Sequence, residues 1–167
     1  MQAILMVLVL VFAAEGQQSN PQENPAEHHA AVTTRGEHVM GFSQEKTMHH
    51  FLLYKDGGVI SVTANDPKDM QSRDMIRMHL SHIAGMFAAG DFNVPMLIHG
   101  TTPPGVPAMT ELKKQIRYRY HDIDSGGQVR IQSVNPKAVA AIHEFLRFQI
   151  KEHETGDSGE IEAGTEH

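Results

Sequence analysis

The chain has 167 residues and a formal charge of −6, which suits one domain with a single core and leaves too little length for two. It has no cysteine, so a disulfide framework, a thiolate metal site and covalent haem attachment through Cys-x-x-Cys-His are all excluded. Lysine and arginine form no long basic run, which argues against a nucleic-acid footprint, and the twelve histidines are the outlier of the composition.

The sequence opens on an apolar run over residues 3–14, followed by small residues. A membrane span needs about 20 apolar residues, so this run reads as a secretory signal peptide, residues 1–16. The expected location is the periplasm or the outside of the cell, with no membrane insertion of the mature chain. Residues 17–37 are rich in Gln, Asn, Pro and Glu, which predicts a disordered leader.

From Lys46 the pattern changes. Residues 47–54 and 59–64 are rich in β-branched and aromatic residues and flank Lys55-Asp56-Gly57-Gly58, a hairpin turn. Asn65-Asp66-Pro67 predicts a helix start, with helical spacing to about Ala89 and Gly90 suited to end it. Residues 91–106 hold three prolines, so the expectation is a loop wrapping the domain, with His99 beside Met96, Leu97 and Ile98. A short helix is expected over residues 107–114. A second hairpin follows, with alternation over residues 116–120 and a turn at Asp124-Ser125-Gly126-Gly127. Asn135-Pro136 then starts a helix reaching residue 153. Residues 154–167 read as a disordered acidic tail, which leaves 38–153 as the folded domain.

The two halves match as hairpin, Gly-Gly, Asn- and Pro-containing helix start, helix. Gly57 and Gly126 differ by 69 positions, as do Pro67 and Pro136. The predicted fold is therefore α+β: a two-layer sandwich, a four-stranded, largely antiparallel sheet with two main helices on one face, as a ββα quasi-repeat. The predicted core joins Ile76, Leu80, Ile83 and Phe87 to Val139, Ile142, Leu146 and Ile150 over Phe51, Leu53, Ile60 and Val62. Arg73, Arg77, Lys137 and Glu144 are expected on the solvent side.

The chemistry centres on residues 72–88. Met75, His79, His82 and Met86 fall at spacings of four, three and four, one stripe of a helix, and imidazole and thioether both bind soft or borderline metals. The plain alternative is that the methionines fill gaps in a core and the histidines find hydrogen bonds at its edge. In the strand run, His49 and His50 point to opposite faces. Parity puts His49 on the side of Phe51 and Leu53, a bulge would put His50 there, and both stay open. His99 is the natural fourth ligand. His143, alone beside Val139 and Leu146, reads more simply as core.

Copper is the preferred metal because thioethers suit Cu(I), with zinc or iron also served by imidazole. Non-covalent haem on His79 or His82 is the second reading. The third is an envelope interaction module without a cofactor. Catalysis would need an adjacent acid, for which Asp74 and Asp91 are the nearby candidates. The spacing H-x-x-H is not that of a zincin, and neither Gly-x-Ser-x-Gly nor a phosphate-cradling glycine loop occurs.

The strings MGFSQEKTMHHF (40–51), IRMHLSHIAGMFAAGDFNVPM (76–96), IHGTTPPGVP (98–107) and AIHEFLRFQIKEHETGD (141–157) resemble a family of small exported bacterial proteins of uncharacterised function. Members are sometimes labelled aspartate carbamoyltransferases, although nothing in this sequence supplies that enzyme's phosphate and amino-acid sites. The resemblance covers residues 35–157 and implies an exported bacterial protein of one domain. Met48 stands where that family's T-T-H-H-F string has Thr, which adds a thioether beside the histidine pair.

Overall fold

The computed structural model describes residues 24–163. Helix α1, Pro25–Met40, leads to strands β1, Thr47–Tyr54, and β2, Gly57–Ala64. The long helix α2, Met70–Ala89, is followed by two short ones, α3, Asn93–His99, and α4, Val106–Glu111. Strands β3, Arg117–Ile123, and β4, Gly126–Gln132, precede the last helix α5, Pro136–Glu152. Among the described residues no helix is long and apolar enough to cross a membrane. The signal-peptide expectation falls outside the described residues.

The α+β reading holds. The sheet is fully antiparallel with the order β1-β2-β4-β3. Its two hairpins share one register: Phe51 faces Ile60, and Tyr120 faces Val129, each residue of the second pair lying 69 positions beyond its counterpart. Ile60 and Val129 also face each other across β2 and β4, so an approximate two-fold axis passes between them.

Each unit's helix crosses to cover the other unit's hairpin. α2 lies on β3 and β4, and α5 on β1 and β2. The second glycine of each hairpin makes this fit possible. A Cβ on Gly58 would run into Leu146 of α5, and one on Gly127 would meet the Tyr120 ring at 2.9 Å and Leu80 of α2 at 3.4 Å. Both helices therefore sit on one face, with Phe51, Leu53, Ile60, Val62, Val129 and Ile131 buried beneath Ile76, Leu80, Ile83, Ile142, Phe145 and Leu146. Val139 is only half-buried, and Ile150 packs partly against the core. Lys137 and Glu144 are exposed as expected; Arg77 is not, because its guanidinium bonds the carbonyls of Ile123 and Gly126 at the second hairpin turn.

The structure corrects the expected boundaries. Where a disordered leader over 17–37 was predicted, α1 starts at Pro25, N-capped by the Asn24 side chain, and buries Val32 to 1% exposure. The single valine that anchors it is too sparse a pattern for periodicity to register. The residues after 153 are likewise held: Asp157 accepts the Phe51 N–H at 2.9 Å, the Glu162 N–H donates to Leu53 O at 2.8 Å, and Ile161 bridges Leu53 in parallel. An acidic tail carries no strand signal of its own; the free edge of β1 supplies the partner.

One helix start also moved, and one helix stands where a loop was expected. α2 begins at Met70 with Asp69 as its N-cap, three residues after the expected proline. Within the expected loop, residues 93–99 form α3, with Pro95 in the first turn, where its missing N–H costs nothing.

Candidate functional site

Between the sheet and the helices lies a cavity of about 60 Å³. Its floor is Phe51, Ile60 and Val62; its sides are Leu80, Ile83 and Phe87 of α2 and Phe145 of α5; α3 and Met40 of α1 roof it. Four imidazoles interrupt these apolar walls: His49, His79, His99 and His153.

His49 lies on the helix-facing side of β1, as parity predicted, opposite Val62. Its ring stacks on His153 at 5.6 Å and on Phe42 at 6.3 Å, and its buried Nε2 has no hydrogen-bond partner. His79 stands edge-on to Phe42 at 5.6 Å. Burial pushes both rings down to about 4, helped for His49 by His79 and for His79 by His82, so both are neutral at pH 7.

His99 is 3% exposed. Its Nε2 pairs with Gln149 Oε1 at 3.1 Å and its ring meets Phe148 at 5.0 Å and His153 at 5.2 Å. Burial lowers its pKa, against the Gln149 bond and the Glu152 carboxylate, whose oxygen is 3.7 Å from Nδ1. That Nδ1 and the Gln149 Nε2 are buried without a hydrogen-bond partner.

The remaining sequence candidates lie elsewhere. His50 faces the open side of the sheet and binds Asp157 at 2.8 Å. His82 is exposed, on an outer groove of α2 with Met78 and Met86, because the Met75, His79, His82, Met86 stripe is centred about a quarter turn from the buried Ile76, Leu80, Ile83, Phe87 stripe and His82 lies on its far side. Met75 packs beside Gly41, and Met86 packs partly against the core. His143 is buried and its Nε2–H is shared by the Tyr54 and Gly57 carbonyls, which pins the first hairpin to α5, a packing role as the simpler reading had it.

Three polar or sulfur-bearing wall residues, His153, Gln149 and Met40, escaped sequence reasoning. His153 and Gln149 extend the Ile142, Leu146 stripe of α5 at helical spacing, so continuing that stripe past Ile150 would have found His153. Met40 ends α1 and had no such signal. Among the described residues no three His, Asp or Glu side chains converge as a metal-holding group.

Fold and site together define an α+β domain with an interior cavity whose apolar walls carry four imidazoles. No protein-family profile, curated protein or solved structure matches this chain.

Proposed function

We propose that the protein binds a late transition-metal ion, copper preferred, in this cavity through His49, His79, His99 and His153. The observation that carries the proposal is the placing of polar atoms without a hydrogen bond: His49 Nε2, His99 Nδ1 and Gln149 Nε2 are all buried, on residues that line one otherwise apolar cavity. Buried polar groups of folded proteins are nearly always hydrogen-bonded, so three orphans at one place point to a ligand.

The donor chemistry supports a soft ion. The lining offers four imidazoles, those of His49 and His79 neutral at pH 7, and the Met40 thioether and no carboxylate, a set that suits Cu(I) better than an oxygen-seeking ion. Two imidazoles bound to one ion at about 2.0 Å have centroids about 5 Å apart. The 5.2 Å and 5.6 Å separations around His153 are close to that. Loading requires the rings to turn toward a common point, since their nitrogens do not converge as they stand. A cavity of about 60 Å³ holds an ion and a water or two and has no room for a porphyrin, so the haem reading is not carried further. The apolar run at residues 3–14 and the resemblance to exported proteins support binding outside the cytoplasm, as a carrier or sensor.

The non-convergence of the donors favours a second reading, a small uncharged organic molecule that hydrogen-bonds the same nitrogens and the Gln149 amide. Metal analysis of untagged protein separates the two. Stoichiometric copper, lost in His49→Ala and His79→Ala with the fold intact by circular dichroism and retained in His50→Ala and His82→Ala, is the expected result. Protein that takes up neither Cu(I), Cu(II) nor Zn(II) sinks the metal reading, and native mass spectrometry then reports any organic ligand.

A further inference from the structure

The two edges of the sheet are equivalent by the internal two-fold and are treated differently. At the β1 edge the chain's own residues 157–162 lie alongside the strand, running parallel to it. The contact that starts this arrangement is Asp157: one carboxylate oxygen takes the Phe51 N–H and the other the His50 ring, which stands on the open face of the sheet. At the β3 edge no strand among the described residues is paired on the outer side. After α2 the chain turns away at Gly90 to build the cavity roof, whereas after α5 it runs along β1.

The shared register carries the β1 contact over to β3. Advancing by 69 positions, Phe51 becomes Tyr120 and His50 becomes Arg119. In both hairpins the two-residue turn sets the same alternation, so Phe51 and Tyr120 each sit in a pair that makes no ladder hydrogen bond and point their N–H outward. Arg119 therefore stands on the open face beside an outward N–H, where at the other edge a ring nitrogen and an N–H hold a carboxylate together.

The charges around Arg119 point the same way. Arg119 lies directly across from Arg130, a like-charged pair that costs stability in a sheet, and Arg117 and His121 flank it on the same side of β3. Arg130 is engaged with Asp56 and lies over the Tyr54 ring at 5.0 Å. Arg35, Arg73, Arg77 and Arg147 each hold a carboxylate or a carbonyl. Among the described residues, only Arg117 and Arg119 of the arginines lack such a partner, and both are exposed in a chain of net charge −6.

We propose that the open edge of β3, with Arg117 and Arg119, is a docking site for an extended acidic peptide segment of a partner protein, which adds as a fifth strand and places a carboxylate on Arg119 and the Tyr120 N–H. Main-chain bonds along an exposed edge supply affinity in this mode of recognition, and side chains on alternate positions supply selectivity. The chain's own tail, with Asp157, Glu160 and Glu162, shows that this sheet accepts such a segment at the equivalent edge.

The test uses the full chain and a fluorescent peptide of the tail sequence, HETGDSGEIEA, at low salt. Saturable binding by anisotropy is expected, weakened at least tenfold by Arg119→Glu, by changing the peptide Asp to Asn and by raised salt, and unaffected by Arg73→Glu on α2. Arg119→Glu faces Arg130 and should fold, which circular dichroism checks; Arg119→Ala serves as the second variant. Hydrogen exchange is expected to show new protection at the amides of Tyr118, Tyr120 and Asp122. Absent saturable binding, binding indifferent to Arg119, or protection confined to β1 through displacement of the protein's own tail would each overturn the proposal. Self-association that protects β3 without peptide would overturn it in favour of a second copy.

Discussion

The two ββα units share a backbone register and bury different chemistry. At the position of His49 in the first hairpin the second carries Tyr118, 69 residues on, and the space beside it is filled by Phe87, which stacks on Phe92 at 4.4 Å and meets Tyr118 and Phe145 edge-on at 5.9 Å and 5.8 Å. Around His49 the neighbours are imidazoles and a cavity. One backbone plan thus yields an aromatic core at one end and a cavity with imidazoles in its apolar walls at the other. Strand register and the paired glycines place the helices, while the side chains meeting beneath them decide whether the space closes.

The largest test of that equivalence is on the two helix leucines. Leu146→Ala and Leu80→Ala should each cost about 2 to 5 kcal/mol in denaturant unfolding, through the cavity left under each helix. A cost confined to one of them would break the pairing of the halves.

A pH titration separates the halves next. His49 and His79 have folded pKa values of about 4 against 6.5 in the unfolded chain, so below pH 6.5 the unfolded state binds more protons. Stability is fully present above pH 6.5 and falls as pH drops toward 4, by at most about 1.4 kcal/mol per unit for each ring. His49→Phe should remove roughly half of that slope; an unchanged slope would mean that the rings are not buried neutral. Tyr118, at the equivalent position of the other half, contributes nothing in that range, since burial raises its phenol further above 10.

The glycines sharpen the comparison at a smaller scale. Gly58→Ala should cost about 1 to 3 kcal/mol by overpacking, because the new methyl meets backbone at Leu52 as well as Leu146. Gly127→Ala should cost less, since the Tyr120 side chain at the edge can shift. Equal costs would show that the two helix seats are equally rigid. Smallest is Tyr118→Phe: its hydroxyl is buried without a partner, so removing it should be neutral or stabilise by up to about 1 kcal/mol, and a clear loss of stability would reveal an unseen hydrogen bond.

Much of the fold was legible because it rests on local signals. Asp-Gly-Gly and Ser-Gly-Gly between β-rich runs specify tight hairpins, Asn135-Pro136 and Gly90 mark helix ends through capping and positive φ, and the Ile76-to-Phe87 stripe marks a buried helix face. The repeat of those signals at one spacing made the quasi-repeat visible. His49 was legible too, since side-chain alternation along a strand is a local property.

The rest depended on tertiary structure, because it depends on what segments distant in sequence do to one another. The crossing of each helix to the opposite hairpin, which brings the His79 edge of α2 to the cavity beside β1, follows from where the sheet lies under α2. The roof formed by α1 and α3 and the tail along β1 have weak intrinsic patterns and are held by Val32, Arg35 and Asp157 contacts with remote partners. His153, the C-cap of α5, joined the cavity because that end of the helix lies over β1 and brings the imidazole into stacking range of His49.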